Sequence, residues 1–231
     1  MYRLVDSHAH LEEIKDLEEA IREALNAGVV AIIAVGSDLE SSRYALEISE
    51  KEYHGLKIYP ALGVHPWGLN PDTVEETLEF IKSNIDRAVG IGEVGLDYWY
   101  KEVRKKPEKK ALQRDVFRAF LDLARHHDKP VIIHSRGAWN DCVEMTIEAK
   151  VKKAIFHWFT GPAETLERLL EHGYFVSATP AAEYSKELRR VIRNTPLERI
   201  LLETDSPVNY RGLEAKPALS LIHISEPTRL G

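Results

Sequence analysis

The chain has a single cysteine, Cys142, in 231 residues, so no internal disulfide framework can form and a reducing compartment is expected. No run of 18 consecutive apolar residues occurs, which excludes a single apolar membrane-spanning helix. The opening Met-Tyr-Arg-Leu-Val-Asp lacks the apolar stretch and cleavage site of a secretory leader, and the cytoplasm is the expected location. Positive charge is not in excess. A formal net charge of −6 argues against coating nucleic acid along a broad basic face, though not against gripping one phosphate or a strand end. No GxGxxG or P-loop follows the first apolar run, which weighs against an open doubly wound sheet. No GxSxG elbow is present, so a serine nucleophile has no seat. Nothing marks an obligate protein partner.

Short apolar runs alternating with longer amphipathic ones fill the chain instead. Leu4-Val5 opens the series, and Val29 to Val35 (VVAIIAV) is continuous and β-branched, as a strand buried on both faces requires. Further runs cover residues 58–64, 88–94, 130–133, 153–156, 174–177 and 199–202, giving eight strands. Between them apolar residues recur three and four apart, as in Leu17, Ala20, Ile21 and Leu25, or Val116, Phe120, Leu123 and Ala124. Gly28 and Gly173 stand where two of these helices should stop. Strands alternating with helices imply right-handed crossovers and a parallel sheet, and a closed (β/α)8 barrel is the simplest solution at this length.

The end of the chain differs. Residues 219–229 (LSLIHISEPTR) follow neither period and resemble the translation of a sequencing-library adapter. Two segments are expected: a barrel domain over 1–218 and a non-native tail over 219–231. Such barrels usually run to about 250 residues, so the helix after the eighth strand is expected to be missing.

Barrel enzymes place their chemistry where strands pass into the following loops. His8 and His10 stand at the end of strand one, their i, i+2 spacing turning both rings to one side. His65 follows strand three, Glu93 strand four, His134 strand five, His157 strand six and Asp205 strand eight. Five of the chain's ten histidines fall at these ends. Any one of them alone reads as a hydrogen-bonded structural residue or a helix cap. Seven together would repel or remain unsatisfied unless a cation neutralises them. The set has ligands enough for two divalent ions; imidazole suits zinc, manganese, iron or nickel better than magnesium. Glu93 could bridge two ions about 3.5–4 Å apart, and Asp205 could ligate and accept a proton from an activated water. Hydrolysis at a phosphoryl or carbonyl centre is the expected chemistry. Cys142 falls mid-helix and reads as a small core residue.

Six ordered motifs carry a family resemblance: Val5-Asp6-Ser7-His8-Ala9-His10-Leu11, Gly63-Val64-His65-Pro66, Gly92-Glu93-Val94-Gly95-Leu96-Asp97-Tyr98, Ile133-His134-Ser135-Arg136, His157-Trp158-Phe159-Thr160-Gly161 and Glu203-Thr204-Asp205-Ser206-Pro207. The chain resembles the TatD family of metal-dependent deoxyribonucleases from residue 5 to about 210. The resemblance implies a TIM barrel of the amidohydrolase superfamily that cleaves DNA from an end. It also implies two divalent ions (magnesium, zinc or manganese), one held by His8, His10, Glu93 and Asp205 and the other by Glu93, His134 and His157. His65 would then sit beside the substrate phosphate. Trp158, Thr160 and Val208-Asn209 depart from the family's usual forms without touching a ligand position.

The remaining features bear on substrate. Residues 100–110 (YKEVRKKPEKK) hold six Lys/Arg against two Glu, which could fix backbone phosphates or merely lead into a helix beginning near Ala111. Arg136 is the best single phosphate contact because its fork suits bidentate binding. Trp67, Tyr98, Trp99, Trp139 and Trp158 follow strand ends and either stack on unpaired bases or pack between loops. A 3′–5′ exonuclease or phosphodiesterase acting on single-stranded DNA ends leads. An amidohydrolase, lactonase or aminoacyl-ester deacylase on the same metals is the alternative, and an inactive binding module the third reading.

Overall fold

A computed structural model of the chain describes residues 3–221. Eight strands appear where eight apolar runs were read: β1 (Leu4–Ala9), β2 (Val29–Val35), β3 (Lys57–Leu62), β4 (Gly90–Gly95), β5 (Val131–His134), β6 (Ala154–Phe156), β7 (Phe175–Ala178) and β8 (Ile200–Leu202). They pair in sequence order, every pair parallel. Helices α1 (Leu17–Asn26), α2 (Leu39–Ser49), α3 (Pro71–Asn84), α4 (Pro107–His127), α5 (Trp139–Glu148), α6 (Ala163–Glu171) and α7 (Lys186–Arg193) follow the first seven strands. The architecture is the (β/α)8 barrel.

The helices start on local signals. Asp16 accepts the Glu19 amide at α1, and Asp38 and Ser41 form a reciprocal capping box at α2. Helix α4 begins four residues before the expected Ala111, because Pro107 occupies its first turn, where a missing N–H costs nothing. The two stop signals hold: Gly28 and Gly173 adopt φ of 89° and 75°. One continuous apolar cluster joins strand residues such as Ile32, Leu62 and Ile91 to Ile21, Ile81, Phe117 and Phe120 on the helices. Each fully buried side chain of this size contributes about 1.5–3 kcal/mol.

Closure between β1 and β8 rests on polar contacts. The Asp205 amide donates to the His8 carbonyl at 2.9 Å, and the His10 amide to the Ser206 carbonyl at 2.8 Å. Beneath them the fully buried Asp6 carboxylate accepts from the Thr204 amide (2.9 Å) and the Thr204 hydroxyl (2.5 Å). Asp6 therefore rivets the first strand to the last, and its closure holds two candidate site residues in register. An Asp6→Ala variant is expected to lose roughly 1–3 kcal/mol for each donor left without an acceptor. Urea denaturation in a chelator should read this as a lowered midpoint, with Asp6→Asn, which keeps one acceptor, falling between the two.

No helix follows β8 among the described residues. A hairpin of β9 (Asn209–Tyr210) and β10 (Leu213–Glu214) leads instead to a 3-10 turn, Pro217–Leu221, which packs against α1 and β1. Strand β8 is the one barrel strand without a buried residue. The expected tail at 219–231 overlaps this turn for three residues; residues 222–231, His223 among them, lie outside the described residues. Among the described residues no helix is long and apolar enough to cross a membrane.

Candidate metal centre

All seven polar residues read at the strand ends meet at the C-terminal mouth of the barrel. His8 lies within β1, Glu93 within β4, and His134 ends β5; His10 and His157 stand one residue past β1 and β6. His65 and Asp205 stand three residues past their strands. Asp205 takes a left-handed φ of 52°, uncommon for a non-glycine residue, and its carboxylate meets the histidines of strands one and six.

Glu93 is the hinge of the arrangement and is only 2% exposed. Its Oε2 lies 3.4 Å from His8 Nε2 and 3.5 Å from His10 Nε2. Those two nitrogens are 3.2 Å apart, and each is 3.6–3.7 Å from Asp205 Oδ1. Five of the six separations among these four atoms thus run from 3.2 to 3.7 Å. A tetrahedron with metal–ligand bonds of about 2.1 Å has edges of about 3.4 Å, so this group fits a divalent ion. The other oxygen, Oε1, faces a second group: His134 Nδ1 at 2.7 Å, His65 Nε2 at 3.6 Å and His157 Nε2 at 3.8 Å. His65 Nε2 is itself 3.2 Å from His134 Nδ1. His65, which the family resemblance places beside the substrate phosphate, is therefore as much a part of the second group as His157.

Two further carboxylates, not singled out as site residues from sequence, hold the histidines from behind. Glu203 Oε1 is 2.9 Å from His157 Nδ1, and Asp97 Oδ2 is 3.0 Å from His134 Nε2; both acids are fully buried. Each leaves the other ring nitrogen aimed at the centre, so His157 presents Nε2 and His134 presents Nδ1. Carboxylates in this position set ring orientation and tautomer around metals. Both stand inside motifs already noted, four residues after Glu93 and two before Asp205, and that proximity was the available signal.

Electrostatics follow from this packing. Burial pushes Glu93 up, but the imidazoles of His65, His157, His10 and His134 outweigh it and hold the carboxyl well below its usual range. Burial likewise lowers His157, yet Glu203, Asp205 and Glu93 lift it to about 10. His10 and His134 are raised against burial by their carboxylate neighbours, Glu12 and Glu93 for the first, Asp97 and Glu93 for the second. Burial keeps His65 neutral, down at about 3, and burial with the stacked His157 lowers His8.

Above the cluster opens a cavity of about 980 Å³, lined by His10, His65, Glu93, His134, His157 and Asp205 at its floor and by Arg136 and all four tryptophans on its walls. Arg136 bonds Asp97 through Nε at 2.9 Å and lies over the Trp67 ring. Trp67 donates to Asp97 and stacks on Tyr100, so its ring is already engaged by protein. Tyr98 does not line the cavity; its hydroxyl donates to Asp141, which also pairs with Arg114. Cys142 is buried in α5, where burial pushes its thiol up and leaves it inert.

The chain is similar to known proteins in sequence and in fold. The family described as TatD related DNase matches residues 5–224. Bacillus subtilis (strain 168) YabD, an uncharacterized metal-dependent hydrolase, is 36% identical over 228 residues, covering 93% of this chain and 86% of its own. The human deoxyribonuclease TATDN3 is 33% identical over 216 residues, covering 88% and 78%. The crystal structure of Escherichia coli YjjV, a TatD homolog, superposes with a TM-score of 0.86 at 25% identity, covering 99% of this chain and 90% of that one. A family match over nearly the whole barrel, joined to a histidine–carboxylate cluster at its mouth, means that the chain belongs to the TatD-related DNase family of metal-dependent hydrolases.

Proposed function

We propose that this protein is a cytoplasmic 3′–5′ exodeoxyribonuclease that hydrolyses single-stranded DNA ends with two divalent ions. The observation that carries the reading is Glu93, whose two oxygens face two separate groups of nitrogen donors. His8, His10, Glu93 and Asp205 would hold one ion, and Glu93, His134 and His157 the other, with His65 completing that group and facing the substrate phosphate. Ions held there would polarise a phosphoryl oxygen and lower the pKa of a water. The imidazole-rich donor set favours zinc or manganese over magnesium.

The chain's own residues supply the rest. Asp205 Oδ1 faces His8 and His10 while Oδ2 lies 3.8 Å from His157 Nε2, so this carboxylate can bind and also accept a proton. Arg136, held by Asp97, offers its remaining guanidinium donors to a phosphate inside the cavity. Glu203 and Asp97 keep His157 and His134 turned inward. The barrel domain is proposed to span 1–218, with 219–231 a non-native addition. The name of the human relative supports DNA as the substrate.

The test is release of mononucleotides from single strands labelled at the 3′ or the 5′ end, with and without added manganese or zinc. Metal-dependent shortening from the 3′ end is expected. No activity on any strand, alongside hydrolysis of an ester or lactone, would overturn the nuclease reading.

A further inference from the structure

The cavity's walls are not alike. On one side stands the loop between β4 and α4, residues 96–106, which carries Trp99. Trp99 is 59% exposed, the most exposed of the tryptophans at this mouth. It is nevertheless held in place. Its amide and that of Tyr100 donate to Asp97 Oδ1 at 3.0 and 2.9 Å. The indole lies on the backbone of Gly137, where an added Cβ would come within 2.4 Å of Trp99 Cδ1, and its edge meets Trp139 at 5.2 Å and 86°. Gly137 has a φ of 71°, so the seat is one that a side chain would fill and strain. A large ring fixed by backbone beneath it, yet mostly uncovered at the mouth of a hydrolytic cavity, is a surface for a flat partner.

The residues after it are cationic and sit on a hydrogen-bonded turn. Val103 is buried, and the Tyr100 carbonyl accepts from the Val103 and Arg104 amides at 2.9 and 2.8 Å, so the loop folds as a tight turn. Lys101, Arg104, Lys105 and Lys106 are all exposed. None of the four pairs with a carboxylate among the described residues; the loop's Glu102 is taken by Lys109. Across the cavity the walls that continue from β1 and β7 carry Glu13 and Glu187. A polyanion reaching the metal centre is therefore attracted on the β4 side and repelled on the other.

We propose that the β4–α4 loop is the docking track for an unpaired DNA strand: Trp99, seated on Gly137, stacks on one base, and Lys101, Arg104, Lys105 and Lys106 bind phosphates of the nucleotides beyond it. This rests on the nuclease reading and adds to it a minimum substrate length and a side of entry. A duplex cannot use the track, because its bases are already stacked. Trp67, engaged by Tyr100, Asp97 and Arg136, is not part of the stacking surface.

The test uses fluorescein-labelled dT12 and three variants: Trp99→Ala, Trp99→Phe, and a quadruple Lys101→Gln, Arg104→Gln, Lys105→Gln, Lys106→Gln. Binding is read by anisotropy in chelator and turnover as kcat/KM with manganese, after thermal melts have checked that each variant is folded. Trp99→Ala is expected to weaken binding roughly 5- to 100-fold, the loss of one stacked base, with Trp99→Phe recovering a large part of it. The penalty should shrink toward onefold on a strand with abasic sites near the labelled end. The quadruple variant should flatten the plot of log affinity against log salt by about 2–3, four phosphate contacts at ~0.7 each. The proposal is overturned if folded Trp99→Ala binds dT12 like the wild type, if its penalty persists on abasic strands, or if rU12 binds more tightly than dT12. Failure of the nuclease reading looks different: the wild type itself then neither binds nor shortens dT12 while an ester or lactone is hydrolysed.

Discussion

Replacing Glu93 by glutamine is expected to lower metal-dependent hydrolysis by about 1000-fold or more. The reason is geometric. One oxygen of Glu93 serves His8 and His10, the other His65, His134 and His157. An amide of the same shape keeps one acceptor and turns two hydrogens on whichever group meets the nitrogen. That group loses an anionic ligand, and the whole centre loses the charge common to its two halves. No other side chain in the cluster has this position; Asp205 comes nearest, but its second oxygen reaches only His157, at 3.8 Å. The rate should fall alongside the metal content of protein purified with manganese or zinc, from about two ions per chain to one or none. Retention of both ions and of activity within tenfold of wild type would mean that Glu93 does not bridge.

What could be read in advance from sequence, and what could not, divides along a physical line. The eight strands were legible because strands of a parallel barrel are covered on both faces and appear as unbroken apolar runs. The seven polar residues at the mouth were legible because they gather at six of the eight strand ends, where any one alone could be a hydrogen-bonded structural residue or a helix cap but seven together call for a cation. The partners behind them were not. Glu203 lies two residues before Asp205, yet it serves His157 at the end of β6, a pairing that forms only once β6, β7 and β8 lie side by side. Asp97 stands within a motif but has no role there in one dimension; only in space does it receive His134, Arg136 and Trp67 together. The aromatics show the same limit. Position after a strand end applied equally to Trp67, Tyr98 and Trp99, but Asp141 draws Tyr98 aside and Arg136 with Tyr100 engages Trp67. A tryptophan standing on glycine thirty-eight residues later has no one-dimensional signature.

Filling the centre with metal at pH 7 is expected to release between one and three protons per chain. Imidazole must be neutral to ligate, and in the metal-free protein neighbouring carboxylates favour the protonated form of three rings. His157 is lifted to about 10, its burial overcome by Glu203, Asp205 and Glu93, and His10 and His134 are raised by their own carboxylates. His8 and His65 are lowered by burial and have no proton to give. The sign follows: protons compete with the ions, so affinity rises with pH, by about one log unit per pH unit for each proton displaced. Calorimetric titration with zinc in PIPES and in TES, weakly metal-binding buffers of different ionisation enthalpy, counts the protons from the difference in observed heat. A Glu203→Gln variant removes the nearest charge behind His157, so its count should fall by about one. Its zinc affinity should drop only 10- to 100-fold, as for loss of an outer carboxylate. Identical heats in the two buffers would mean that the imidazoles are already neutral, and that the carboxylates around them do not hold protons in the place of the ions.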